Sequence, residues 1–266
     1  KQIFKRAKNE TISTMTTIIG KAIASFHIPK QPSKVVYIIP IEESHAEELF
    51  DVVDSNRDHL KEWLPWLDRN KTVDDQRNFC KFVATENTKS PDDRSSFSCV
   101  LITTTEEKEG EDVDVDDDDD NSRHEESKKN FIIIGTVSFE KINQTIKTGI
   151  IGYWLATKYQ GKGIASAAAD SITEYGFDIL KFDHIALQVE VENYASQAIP
   201  NRLGFEKLSL ESTGRITENL YGKEIVLSTY VKSSPYIVIV EDEEKERKTP
   251  ILSIKEIDWR SAGKKE

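Results

Sequence analysis

The sequence predicts a mixed α/β fold: one mostly antiparallel sheet with a single parallel strand pair, flanked by helices. Three observations lead there. The apolar run 149–156 is followed by a helical stripe of Ile164, Ala168, Ile172, Tyr175 and Ile179, and then by the alternating strand Ile185, Leu187, Val189 and Val191. A strand–helix–strand unit makes its two strands parallel and near neighbours. Residues 95–104 and 131–140 are β-rich with no helical period between them, so the second pairs back on the first. The full order reads β, two or three α, three β, α, β, α, two β.

Taken in turn, residues 1–34 form a weakly patterned leader. Lys1, Lys5, Arg6 and Lys8 precede a Ser/Thr-rich stretch, and Glu10 is the only acid before Glu42. That composition predicts a frayed terminus, with a mitochondrial transit peptide as the alternative to a cytoplasmic chain. Residues 35–39 make a short strand stopped by Pro40. Ser44-x-x-Glu47 reads as a capping box before a stripe of Ala46, Leu49, Phe50 and Val53. A second helix carries Leu60, Trp63, Leu64 and Leu67, broken at Pro65. Thr72-x-x-Asp75 opens a third, with Phe79, Phe82 and Val83 expected inward. Run 149–156 is apolar on both faces, as a central strand requires. Asn193 starts the last helix, which ends at Gly204, and two strands follow. Residues 233–266 are a charged tail whose runs 235–240 and 251–254 fit a small hairpin.

The net charge of −11 is unevenly placed: residues 106–129 hold 13 acids and 4 bases, leaving the rest almost balanced. Segment 105–129 has no hydrophobic period and is expected to be a disordered insertion between two strands. Counted as a calcium loop from Asp112, it has Asp117 where Gly is needed and Arg123 where Glu is needed, so that reading fails. The two cysteines, Cys80 and Cys99, and the scattered histidines suggest no metal site, and reduced thiols fit an intracellular protein. No apolar run reaches the length of a membrane span, and neither a membrane nor a nucleic-acid partner is expected.

The most telling segment is the turn after the central strand, Gln160-Gly161-Lys162-Gly163-Ile164-Ala165. Two glycines at a helix start leave backbone N–H groups facing outward, where the macrodipole favours an anion. The Walker pattern fails because Lys162 is followed by Gly163, and the dinucleotide fingerprint fits only by half. Gln160, Gly163 and Ala165 match Gln/Arg-x-x-Gly-x-Gly/Ala, the coenzyme A pyrophosphate turn of the GNAT acetyltransferases. Downstream, Asn193-x-x-Ser196 and Leu203-Gly204-Phe205 resemble another signature of that superfamily. Asn56-Arg57, Leu60, Trp63-Leu64-Pro65-Trp66 and Gly152-Tyr153-Trp154-Leu155 resemble one branch of it, the ribosomal-protein-serine N-acetyltransferases of the RimJ/RimL group. The resemblance covers residues 35–232, interrupted by the insertion.

The resemblance implies a GNAT fold whose parallel strands splay apart to admit the pantetheine arm of acetyl-coenzyme A. It implies cofactor contacts from Gln160, Gly161, Lys162, Gly163, Ile164 and Ala165, from the backbone of Trp154 and Leu155, and from Asn193. Ser196 would protonate the departing thiolate, although an unassisted hydroxyl acts mainly as a hydrogen-bond donor. For a base, Glu140, Glu190, Glu218 and Glu224 are the candidates, with Arg215 standing where an acid would be; Glu140, at a strand end, is the one carried forward as catalytic. Trp63 and Trp66 would wall the acceptor. The expected activity is acetyl transfer from acetyl-coenzyme A to a protein N-terminal α-amine by a monomer or homodimer. An α-amine titrates at about 7.7–8.0 against about 10.4 for lysine, so it asks less of a base. A small-amine acetyltransferase and a non-catalytic acyl-coenzyme A-binding module remain as alternatives.

Overall fold

The structure, a computed structural model, describes residues 20–105, 131–208, 215–218 and 224–236. Nine strands among these form one sheet: β1 (Ala24–Ile28), β2 (Gln31–Pro40), β3 (Phe97–Thr104), β4 (Phe131–Asn143), β5 (Thr148–Leu155), β6 (His184–Glu190), β7 (Glu206–Lys207), β8 (Arg215–Glu218) and β9 (Glu224–Ser233). The sheet order is β1-β2-β3-β4-β5-β6-β9-β7, with β8 also paired to β9. All pairings are antiparallel except β5 with β6. This is the predicted fold class. The helices are α1 (Ala46–Ser55), α2 (Arg57–Leu60), α3 (Val73–Thr88), α4 (Ile164–Asp178) and α5 (Tyr194–Arg202).

Strand alternation divides the core between the two sheet faces. On one face Ile164, Ala168 and Ile172 of α4 join Cys99, Leu101, Val137, Phe139 and Ile151. On the other, Ala46 and Leu49 of α1 and Cys80 and Val83 of α3 meet Ile39, Val100, Ile102 and Ile133. The parallel pair is short. It runs from Thr148↔His184 to Ile151↔Leu187 and then stops, although both strands continue. Among the described residues β5 has no strand partner on the β6 side from Gly152 onward, so the expected splay is present.

Several expectations change. The leader 1–34 contains β1 and the start of β2, paired from Ala24↔Ile38. Ala24, Phe26 and Ile28 turn inward while Ser25 and His27 are exposed, a period-two signal that five residues state only weakly. Ser44 is not a cap. A 3-10 turn (Glu43–His45) precedes α1, and Glu42 donates its N–H to His45 Nδ1 at 3.0 Å in a reciprocal box. On α3, Phe79 and Phe82 are 45% and 57% exposed. The inward face is Gln76, Cys80, Val83 and Glu86. Those polar groups are buried because they are bonded: Asn70 Nδ2 donates to Gln76 Oε1, and the hydroxyl of Ser95 donates to Glu86 at 2.8 Å. Ile179 is 56% exposed just past the end of α4. A third short strand, β7, accompanies the two predicted at the end. The insertion, the tail hairpin, residues 1–19 and the side chains of Arg215, Glu218 and Glu224 lie outside what is described.

Candidate active site

Beyond Leu155 the chain passes through a 3-10 turn (Thr157–Tyr159) to Gly161 and Gly163, which take φ of +68° and +84°. Only glycine adopts such values freely, so these two positions are set by backbone geometry. Gly163 caps α4 without a side-chain bond, and no acid occupies the first turn of that helix. The N–H groups there are therefore left open. Lys30, in the turn between β1 and β2, donates to Gly161 O at 2.7 Å. The ammonium groups of Lys158 and Lys162 lie 6.0 and 5.3 Å from the ring of Tyr159. Arg202 donates to the hydroxyl of Ser166 in the first turn of α4. Cations around a helix N-terminus oppose its dipole, and an anion held between them removes the conflict. Lys30 was missed in the sequence because it belongs to the supposed leader. Pro29 beside it would stand 3.0 Å from a Cβ at Gly163, so this hairpin forms one wall of the turn.

Gln160 is exposed, and its amide nitrogen is engaged within the protein. Its Nε2 donates to Leu155 O at 3.1 Å and lies 2.8 Å from His59 Nε2. The role expected of Trp154 also changes. Ala156 donates to Ile134 O on β4, so by strand alternation the backbone of Trp154 faces β4 too, and those of Tyr153 and Leu155 face the gap. The Trp154 side chain packs with Leu64 and Trp66 against buried Val53, Leu60 and Leu67. Trp63 is half-buried outside that cluster.

Asn193 caps α5, accepting the N–H of Ser196 at 3.0 Å. Pro200 lies inside α5 and has no N–H for the carbonyl of Ser196. Tyr153 fills that vacancy: its hydroxyl donates to Ser196 O at 3.2 Å. Burial pushes the Tyr153 hydroxyl well above its ordinary pKa, so it stays a donor. The sequence held the clue, since a proline within a helix orphans the carbonyl four residues earlier.

Glu140 sits at a β-bulge. Phe139 pairs with Ile151 and Lys141 with Ile150, leaving Glu140 as the extra residue. Its carboxylate lies directly over Gly152, where an added Cβ would fall 1.9 Å from Oε1. Gly152 is thus glycine for room, not for φ. The side chain is reached by solvent yet crowded by protein, and this desolvation raises its pKa, offset in part by Lys141. Gly152 and Tyr153 are consecutive and project to opposite faces of β5. One leaves room for the carboxylate and the other bonds the carbonyl of Ser196, at the place where β5 and β6 part. Among the described residues no group of side chains could hold a metal, and no helix is long and apolar enough to cross a membrane.

An acetyltransferase (GNAT) domain model matches residues 36–206. The chain belongs to the GNAT acetyltransferase family. Among its GNAT relatives, a ribosomal-protein-serine acetyltransferase of Escherichia coli (strain K12) is 33% identical over 73 residues, covering 27% of this chain and 41% of that protein. A spermidine N(1)-acetyltransferase from the same strain is 31% identical over 88 residues, covering 31% and 47%. The chain spans about half the length of the curated relatives it matches, such as two from Bacillus. The solved structure of RimL, a ribosomal L7/L12 α-N-protein acetyltransferase in complex with coenzyme A, aligns over 78% of this chain and 97% of its own, with a TM-score of 0.57 and 19% identity. At that identity the likeness concerns the fold.

Proposed function

We propose that this GNAT protein transfers the acetyl group of acetyl-coenzyme A to a primary amine, foremost the N-terminal α-amine of a protein. The observation that carries the reading is the placement of Glu140 and Ser196 on opposite faces of β5 where the strands part. The site fits the co-substrate. The open N–H groups of Ile164 and Ala165, with Lys30 and Lys162, suit the pyrophosphate. The gap-facing backbone of Tyr153 and Leu155 suits the pantetheine arm, although Leu155 O is already engaged by Gln160. Bound there, acetyl-coenzyme A supplies a thioester; the C–N bond forms as the C–S bond breaks. Glu140, with its raised pKa, takes the proton lost by the amine. Ser196, its hydroxyl at the capped start of α5, donates to the departing sulfur. Trp66 walls the acceptor side.

The relatives that act on ribosomal proteins support a polypeptide acceptor. The match to spermidine acetyltransferase supports the second reading, a small polyamine. Thiol release from acetyl-coenzyme A in the presence of either Ser- and Ala-initiated peptides or spermidine separates the two. Glu140→Gln is expected to lower kcat by about 10²–10³-fold near neutral pH, leaving acetyl-coenzyme A affinity unchanged. Catalysis needs the carboxylate ionised, so the wild-type rate rises with pH through its raised pKa, and the variant lacks that limb. Ser196→Ala is expected to cost roughly tenfold, the value of one hydrogen bond. A wild-type rate in Glu140→Gln removes its role as base. Binding of acetyl-coenzyme A without turnover on any amine leaves only a binding module.

A further inference from the structure

Three neighbouring residues at the α1–α2 elbow join the two halves of the site. Asn56 Oδ1 accepts the N–H of Thr157 at 2.9 Å, while its Nδ2 donates to Val52 O at 2.8 Å. Arg57 reaches the other way: Nη1 donates to Leu67 O at 3.2 Å and Nη2 to Asn70 O at 2.9 Å, with Nε on Asp54 at 2.9 Å. A guanidinium with three fixed bonds has little freedom left. His59 meets Gln160 at 2.8 Å. An amide nitrogen can only donate, so Gln160 Nε2, already a donor to Leu155 O, donates to His59 as well. Two residues of the elbow therefore grip the turn after β5. The one between them grips the carbonyls of the segment that carries Trp66.

We propose that Asn56, Arg57 and His59 are positioning residues that couple the acceptor wall, residues 64–70, to the ligand held by the turn at residues 157–163. The elbow's four hydrogen bonds to the turn and the wall arise within four consecutive residues, and α2 is a single turn long. Settling of the turn around a pyrophosphate then stills the wall, so the acceptor site is completed after the co-substrate binds. This rests on the reading of the turn as a coenzyme A site.

Hydrogen exchange on the full chain tests it, with coenzyme A alone as the probe. In the wild type, coenzyme A slows exchange both at residues 157–167 and at residues 64–70. His59 is exposed, so His59→Ala is expected to fold normally. In that variant, and in Asn56→Ala, protection at the turn persists with less than a tenfold loss of affinity, while protection at the wall is lost. His59→Gln, which places an acceptor oxygen near Gln160, restores it. With an acceptor amine present, KM for the amine rises severalfold while kcat holds. Protection of the turn without the wall in the wild type, or of both in the two alanine variants, overturns the coupling and leaves the acetyltransferase reading standing. No protection at the turn overturns both.

Discussion

Two helices of this sheet begin in opposite ways. At α3 the Oγ1 of Thr72 accepts the N–H of Asp75 at 3.1 Å, and Asp75 accepts the N–H groups of Thr72 and Lys71 at 2.9 and 3.0 Å. Two acids, Asp74 and Asp75, stand in its first turn. At α4 the cap is a glycine without a side chain, no acid stands in the first turn, and the neighbouring charges among the described residues include Lys30, Lys158, Lys162 and Arg202. The dipoles are alike and the chain treats them differently. Where it satisfies the end itself, the return is stability. Where it withholds the cap, the end is free to meet something that is not protein.

The sharpest way to break this comparison is to give α4 the acid it lacks. Gly161 has open space where a Cβ would go, and its φ of +68° is one that Asn and Asp tolerate best among side-chain-bearing residues. Gly161→Asn and Gly161→Asp therefore carry nearly the same backbone strain and differ in one charge. Calorimetry is expected to show acetyl-coenzyme A binding weaker in the aspartate variant by about tenfold to a hundredfold relative to the asparagine one. The difference should shrink as salt is raised. Equal affinities would mean that the open end does not hold an anion.

The same contrast explains what could be read from the sequence. Gly161 and Gly163 were legible because only a backbone demand accounts for them there, and Thr72-x-x-Asp75 because the capping residues are the usual ones. Glu42 was not, since glutamate is an uncommon cap and its partner His45 is rarer still. Phe79 and Phe82 misled because apolar residues were assumed to face inward, while Gln76 and Glu86 took those places through hydrogen bonds that no periodicity reveals. Glu140 was visible as an acid near a strand end. Its position over Gly152 depends on a bulge, and a bulge is a fact about register between two strands. Gln160 matched a motif, yet its amide is spent on Leu155 and His59. Motif matching names the residue; which way it turns is decided by neighbours distant in sequence.

The opposite manipulation, opening the closed end, has the smaller effect. Thr72→Ala is expected to cost about 1 kcal/mol, a fall in Tm of roughly 2–4 °C for a domain of this size, with acetyl-coenzyme A affinity unchanged. The partner acid adds a pH signature. The Thr72 hydroxyl, with the N–H groups of Lys71 and Thr72, holds the Asp75 carboxyl below its ordinary value of 3.8. A carboxylate depressed in the folded state contributes stability above its unfolded pKa and loses it as pH falls through the folded one. The stability gap between wild type and Asp75→Asn should therefore stay constant down to about pH 5 and close below pH 4. A gap that persists at pH 2 would assign the effect to shape rather than charge. No corresponding acid limb is expected from the first turn of α4, because no carboxylate stands there to be protonated.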